Sequence, residues 1–408
     1  MKFDRSLLLL VPAAIYLFVL PIAHTTGLRN TVFAVSVLSV LLTWRAIRLP
    51  PIPLKIPFAV WFGFALLSLT QAIRLKYSIG EIKGEIVFGF LTFLIFYRTT
   101  RSEKDLSAWF LVLATSAALI SALGFIHFYS GEDPYHVGSY GGTLHFAAYL
   151  NTVFPVFIVM ALTAVGRRRA LVLLIIAMLL LTAYGSTSRA VWIALVVEFA
   201  VFGGLYLARM EVKPNVRRMI VTSGLAAAVA FSGALLYVTK EKLQEVHKLS
   251  ASGPVEIVTQ AIKADRRPKL WMDTFEFIKE RPLTGAGFGR MVLGPQIVAQ
   301  QNDPNHSHAH NVFLNYALQL GVLGPFVILF VFGAVAKEGF RAARDPEPTL
   351  RLLGIALVAM VAGTFVQCMI EDVFVEHMAL MFWALTGVTL GYARNRATAR
   401  EKPALQPA

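Results

Sequence analysis

RRRALVLLIIAMLLLTAYGSTSRAVWIALVVEFAVFGGLYLAR, residues 167–209, contains two long apolar runs that are separated by a few polar residues. Each run is about 20 residues long, which is the length that an α-helix needs to cross a bilayer. Arginines precede the first run and follow the second, so the cationic ends share one side if the chain crosses twice. The stretch therefore predicts a pair of transmembrane helices that are joined by a short turn.

The same pattern extends over the whole chain. Its 408 residues are 56% hydrophobic and only 15% charged, a composition that does not fit a water-soluble globular protein of this size. We predict an all-α polytopic integral membrane protein with about twelve transmembrane helices. The predicted spans are residues 7–23, 31–47, 56–73, 84–98, 107–129, 144–165, 169–185, 190–209, 218–239, 311–336, 350–370 and 376–393.

The distribution of Lys and Arg predicts the orientation, because cationic loops resist translocation. With both termini in the cytoplasm, most of the loop cations fall on the cytoplasmic side. The net charge of +14 follows from this pattern and gives no reason to expect a nucleic-acid partner. The short loops on the opposite side hold only Arg29, Arg74, Lys76, Lys83 and Arg189.

One connection is far longer than the others and lies on the non-cytoplasmic side. It looks partly helical, with Trp271, Phe275 and Ile278 expected on one apolar face. Long external loops in compact membrane domains are often functional. The predicted organisation is transmembrane helices in residues 1–239, an external loop region in residues 240–310, and transmembrane helices with a cytoplasmic tail in residues 311–408.

HSHAHNVFLNYALQLGVLG, residues 306–324, carries three histidines at the start of the tenth predicted span. His306, His308 and His310 could bind Zn²⁺, or two of them could be solvated loop residues. Metal binding is disfavoured because spacing by two residues suits a strand, whereas this segment begins a helix. His310 precedes Asn311, a good helix N-cap, and the positive end of the helix together with partial desolvation disfavours imidazolium. A neutral ring could accept a proton; the alternative is a histidine without a chemical role.

Arg189 begins the eighth predicted span, where a cation opposes the helix macrodipole. Hydroxyls, a helix amino terminus and a guanidinium together suit a phosphate group, although an arginine at the membrane interface can also simply extend towards water. Two arginines before Pro268 follow the same logic, and Arg290 follows glycine turns in LTGAGFGR whose N–H groups could form an anion-binding nest. Each could be a plain surface charge. Together they predict an external cationic pocket formed by Arg189, Arg266, Arg267, Arg290 and His310.

Other charged groups are weaker candidates. Lys76 and Lys83 could join the pocket, but we favour pairs with Glu81 and Glu85. An acidic cluster near the last outer turn could position an acceptor hydroxyl or bind a cation, but solvated loop charges are favoured. That cluster consists of Glu371, Asp372, Glu376 and His377.

With these residues, the chain resembles the O-antigen ligase family. His310-Asn311, nine residues and then Gly321-x-x-Gly324 match a family motif in full. A second motif places Leu four residues after an arginine, and here Arg189 is followed by Ile193. The long external loop before His310 also agrees with the family.

The resemblance implies a glycosyltransferase of lipopolysaccharide biosynthesis in a Gram-negative inner membrane. It would transfer O-antigen polysaccharide from undecaprenyl diphosphate to lipid A-core on the periplasmic face, with no metal cofactor. His310 would deprotonate the acceptor hydroxyl and the arginines would neutralise the diphosphate, so direct displacement would invert the anomeric centre.

Two alternatives remain. An O-antigen polymerase of the same superfamily uses similar parts with a different acceptor. A flippase or transporter of lipid-linked glycans would be expected to carry ionisable groups deep within the spans and inverted repeats. The sequence shows neither feature, which argues against transport.

Overall fold

A computed structural model describes residues 5–43, 51–130, 142–185, 188–245, 253–265, 267–302 and 307–401. These residues form helices and no strand. The α-helices are α1 Arg5–Val19, α2 Thr26–Leu42, α3 Lys55–Ser68, α4 Leu75–Glu81, α5 Phe88–Thr99, α6 Glu103–Tyr129, α7 Gly142–Thr163, α8 Gly166–Gly185, α9 Arg189–Arg209, α10 Pro214–Glu245, α11 Pro254–Ala264, α12 Arg267–Glu280, α13 Gly294–Gln301, α14 Val312–Leu320, α15 Gly324–Ala342, α16 Pro348–Ile370 and α17 Glu376–Glu401.

Five of the described helices are long and apolar enough to cross a membrane: α6, α7, α8, α9 and α16. The shorter apolar helices α1 and α2 accompany them. The predicted all-α class is therefore confirmed, and its helices suit a multi-pass membrane protein. The number of about twelve spans stays a prediction.

The tenth predicted span is wrong as a continuous helix. Residues 311–336 form two helices, because α14 ends at Leu320 and α15 begins at Gly324. Gly321 has φ +77°, a left-handed backbone conformation that side-chain-bearing residues rarely adopt. After α14 the chain makes a turn at Gly321, and this turn lies against the long loop.

Helix α16 is central to the bundle and packs against α7, α9, α15 and α17. Its buried residues surround the helix, which fits a helix enclosed by protein. Arg351 near the start of α16 donates from Nη1 to the carbonyl oxygen of Arg209 at the end of α9, 3.1 Å away. The two helices are therefore antiparallel, so the start of α9 and the end of α16 lie at the same end of the bundle.

The long loop forms a packed layer over that end. Leu270 and Ile278 of α12 share a small core with Val292, Ile297 and Leu318. The predicted apolar face of α12 is partly wrong, because Phe275 is exposed and the buried face is Leu270, Thr274 and Ile278. Helix α12 also packs against α14, which joins the loop to the bundle.

An aromatic cluster fixes the glycine-rich turn of the loop onto the membrane helices. The ring of Phe288 lies 6.4 Å from Trp61 of α3 and 6.3 Å from Tyr316 of α14, measured between ring centroids. Trp61 also contacts Phe374, which follows α16, at 6.2 Å. Since aromatic rings bury large areas in such pairs, this cluster holds the loop, α14 and the end of α16 together.

Candidate active site

His310 lies directly before α14, as predicted. Asn311 is the N-cap of that helix, since its Oδ1 accepts hydrogen bonds from the N–H groups of Phe313 and Leu314 at 3.0 and 3.2 Å. His310 itself has φ +49°. A left-handed conformation at such a residue costs of order 1 kcal/mol or more and persists only where the surroundings impose it. The direction of the His310 ring is therefore set by tertiary contacts and not by the backbone preference of the residue.

The partner of His310 is Glu371, which follows α16. His310 Nδ1 lies 3.1 Å from Glu371 Oε2, and Arg267 Nη2 donates to Glu371 Oε1 at 2.7 Å. Burial alone would raise the pKa of the Glu371 carboxyl. The hydrogen bond and charge of His310, with the charges of Arg267 and Arg290, outweigh it and hold this pKa below its ordinary value. Glu371 is thus a carboxylate at neutral pH.

This carboxylate determines which ring nitrogen of His310 is basic. An ionised carboxylate can only accept hydrogen bonds, so Nδ1 carries the proton that it shares with Glu371. In the neutral ring, Nε2 then holds the lone pair. The sequence predicted the helix end and the partial burial of His310 but not its contact with Glu371. The arrangement suits a base that takes up a proton at Nε2.

Asp372 is buried beside this pair, with 1% of its surface exposed. Its carboxylate accepts from Asn315 Nδ2 at 2.5 Å, and its carbonyl oxygen accepts from Arg290 Nη1 at 2.7 Å. Burial raises the pKa of the Asp372 carboxyl, while Arg290 and the Asn315 hydrogen bond oppose that rise. The favoured prediction that Glu371 and Asp372 are solvated loop charges is wrong. The side chains of Glu376 and His377 lie outside the described residues.

The structure brings three of the five pocket residues together: His310, Arg267 and Arg290 meet at Glu371 and Asp372. Arg189 is the first residue of α9, which places its backbone at the same end of the bundle. Its side chain, and the whole of Arg266, lie outside the described residues. Arg267 begins α12, as Pro268 predicted.

Of the other two predicted histidines, His308 packs against His310 and supports its ring. His308 is 7% exposed and its ring stacks on that of His310, with centroids 4.0 Å apart. A solvated His308 is therefore wrong, and His306 lies outside the described residues. Within the described ranges, no group of three or more His, Cys, Asp or Glu is placed to hold a metal ion. The acidic residue Glu371, which follows α16, nevertheless lies beside His310.

The glycine-rich turn does not form an open anion nest. The N–H of Ala286 donates to the Leu318 carbonyl at 2.8 Å, and the N–H of Gly289 donates to Gln319 Oε1 at 2.8 Å. Gly285, with φ +70°, leaves no room for a side chain against the backbone of Gln319. These N–H groups are used within the protein, so the turn is a packing element that carries Arg290.

The two motif glycines also have packing roles. A side chain at Gly321 would lie 2.5 Å from the carbonyl oxygen of Pro282, and one at Gly324 would overlap the carbonyl oxygen of Tyr316. The N–H of Val322 donates to the same Pro282 carbonyl at 2.8 Å. The glycines thus let the break between α14 and α15 lie directly against the long loop.

Two carboxyl groups within predicted spans were missed. Glu198 lies at the middle of α9 with no exposed surface, beside Gly363 of α16, where a side chain would overlap it. Glu85 lies in the π-helical turn Ile82–Val87 and is also buried. Glu198 interrupts the apolar run of α9, so the sequence alone could have indicated it. The statement that no ionisable group lies within a span is therefore wrong.

Comparison with known proteins supports the family. Residues 173–329 match the family model described as O-Antigen ligase. The matched region begins in α8 and ends in α15, so it contains Arg189, the long loop, His310 and both motif glycines. No curated protein matches the chain. The site geometry agrees with this match, and the comparison leads to one conclusion: residues 173–329 of the chain are similar to the O-antigen ligase family.

Proposed function

We propose that this protein is an O-antigen ligase that transfers a glycan from undecaprenyl diphosphate to lipid A-core on the periplasmic side of the inner membrane. The observation that carries the proposal is that His310 and Arg267, two residues of the matched region, both contact the carboxylate of Glu371. A basic nitrogen and guanidinium groups at one end of a helical membrane bundle suit an acceptor hydroxyl and a lipid-linked diphosphate.

In the proposed reaction, Nε2 of His310 removes the proton from the acceptor hydroxyl. The oxygen attacks the anomeric carbon of the donor sugar as the bond from that carbon to the diphosphate oxygen breaks. Undecaprenyl diphosphate leaves with the bonding electron pair, and the configuration at the anomeric carbon inverts. Glu371 fixes the tautomer of His310 and stabilises the imidazolium that forms.

The arginines stabilise the leaving group. Arg267 has one N–H bonded to Glu371, and Arg290 has one bonded to the Asp372 carbonyl, which orients both guanidinium groups and leaves their remaining donors for the diphosphate. Arg189 would add a further guanidinium from the start of α9. Because arginine stays charged and can bind two oxygens at once, we propose that these groups replace a divalent cation.

The test is a transfer assay with purified protein in lipid nanodiscs, the lipid-linked donor and lipid A-core. His310→Asn is the sharpest variant, because Asn tolerates the left-handed backbone at φ +49°. His24, with φ +59°, is exposed in the turn between α1 and α2, so His24→Asn is a matched control. We expect a loss of about 100-fold or more for His310→Asn and no loss for the control. Near-normal transfer by His310→Asn would refute the proposal.

The same assay separates the alternatives. A ligase attaches the glycan to lipid A-core. A polymerase instead lengthens the glycan on undecaprenyl diphosphate, and a flippase gives no new glycosidic bond. Because Glu198 and Glu85 remove one sequence argument against transport, movement of the donor across the bilayer should be measured in parallel.

A further inference from the structure

Helix α14 also contains a polar residue that no motif marks. Asn315 lies one turn after Asn311 and has no exposed surface. Its Oδ1 accepts from the N–H of Ala309 at 3.0 Å, and its Nδ2 donates to Asp372 Oδ2 at 2.5 Å. Only a carboxamide can accept on one side and donate on the other in this geometry, so the side chain is fixed in one orientation.

Ala309, the residue that precedes His310, is held at both of its backbone polar atoms. The N–H of Ala309 is bonded to Asn315, and the carbonyl oxygen of Ala309 accepts from Trp271 Nε1 at 2.9 Å. On the other side of His310, Asn311 Nδ2 donates to the Met369 carbonyl at 3.2 Å. These bonds over-determine the backbone at a residue whose left-handed conformation would not persist without them.

We propose that Asn315 is a positioning residue for His310. Its two hydrogen bonds connect the Asp372 carboxylate, which follows α16, to the Ala309 N–H beside His310. They hold His310 in the position where its ring faces Glu371 and the acceptor hydroxyl. This inference rests on the proposed function of His310, but its geometric part does not. Without the Asn315 bond, the Ala309 peptide turns and the base moves away from its partner. A displacement of about 1 Å costs about 100-fold in rate.

Asn315 and Asp372 can be exchanged to test this. In Asn315→Asp the donor to Asp372 is lost, and repulsion between the two carboxyl groups moves the side chain away from Ala309. Asn315→Asp combined with Asp372→Asn restores a donor–acceptor pair and returns the acceptor oxygen to the Ala309 N–H. Asp372→Asn alone keeps an acceptor for Asn315. Activity is measured at about pH 8, where a proton shared between two carboxyl groups is disfavoured. Asn395→Asp is the control, because Asn395 is a half-buried amide that donates to the carbonyls of Thr100 and Gly391.

For Asn315→Asp we expect kcat to fall about 100-fold, with KM for donor and acceptor changed by less than about threefold. The exchanged pair should recover to within about fivefold of wild type, and Asp372→Asn should lose less than about fivefold. A residue needed only for folding would not show this recovery together with an unchanged KM. Wild-type activity in Asn315→Asp, or a folded exchanged pair that stays inactive, would overturn the inference.

Amide hydrogen exchange provides a measure that does not depend on catalysis. The N–H of Ala309 should exchange slowly in wild type, faster in Asn315→Asp, and slowly again in the exchanged pair. If His310→Asn retains transfer while this exchange pattern is found, the proposed function fails and the positioning geometry stands. If the exchange rate is the same in all variants, the positioning inference fails by itself.

Discussion

Glu371→Gln is the most informative change at the site, because it preserves shape and removes only the charge. Glu371 accepts from Arg267 Nη2 at 2.7 Å and faces His310 Nδ1 at 3.1 Å. Glutamine has one oxygen for these two partners. Arginine can only donate, so the amide oxygen stays with Arg267 and the NH₂ group faces His310. Nδ1 must then accept, the proton moves to Nε2, and the base loses its free lone pair.

We expect kcat to fall about 100-fold or more, which corresponds to about 2.7 kcal/mol of transition-state stabilisation. Donor KM should change little. The control is Glu276→Gln, because Glu276 is an exposed partner of Lys279 at 2.8 Å and undergoes the same chemical change. Initial rates of transfer at saturating donor and acceptor give kcat. Wild-type kcat in Glu371→Gln, or an equal loss in Glu276→Gln, would refute the tautomer argument.

The same variant has a defined effect on stability. The pKa of Glu371 is held below its ordinary value of 4.5, so the carboxylate contributes stability above that pH. This contribution is lost as pH falls through the lowered pKa of the folded state. The thermal unfolding midpoint of wild type in detergent should therefore fall more steeply below about pH 4.5 than that of Glu371→Gln. Parallel curves for the two proteins would contradict this assignment.

Three further predictions concern the diphosphate, the metal requirement and the motif glycine. Arg189→Lys should lose about 2 to 4 kcal/mol of transition-state stabilisation in transfer assays, whereas Arg209→Lys at the other end of α9 should lose nothing; a fully active Arg189→Lys would show that charge alone suffices. Transfer by metal-stripped protein should be unchanged in excess EDTA and change less than about twofold on adding Mg²⁺ or Mn²⁺; activity that disappears with chelator and returns with metal would end the arginine mechanism. Gly324→Ala should lower stability by about 1 to 3 kcal/mol in thermal unfolding because its methyl group overlaps Tyr316, whereas Gly333→Ala in the same helix has open space; equal midpoints for both would show that α14 and α15 can separate at no cost.

The sequence alone determined the membrane class and the local features of the site. Hydrophobic runs identify helices because the signal is carried by neighbouring residues along the chain. The N-cap at Asn311 and the start of α12 before Pro268 were predictable for the same reason, since each depends on one to four adjacent residues. The match of residues 173–329 follows from the same linear information.

Only the tertiary structure decided which charges meet. Glu371 lies 61 residues after His310, and nothing in the intervening sequence specifies their contact. The contact arises because α14 packs beside the end of α16, which brings Glu371 to His310 and Asp372 to Asn315. The glycines of the loop were predicted as turns, but their N–H groups find protein partners that only folding supplies. Backbone and charge pairing across such distances depends on packing in three dimensions, whereas hydrophobic periodicity depends on sequence neighbours.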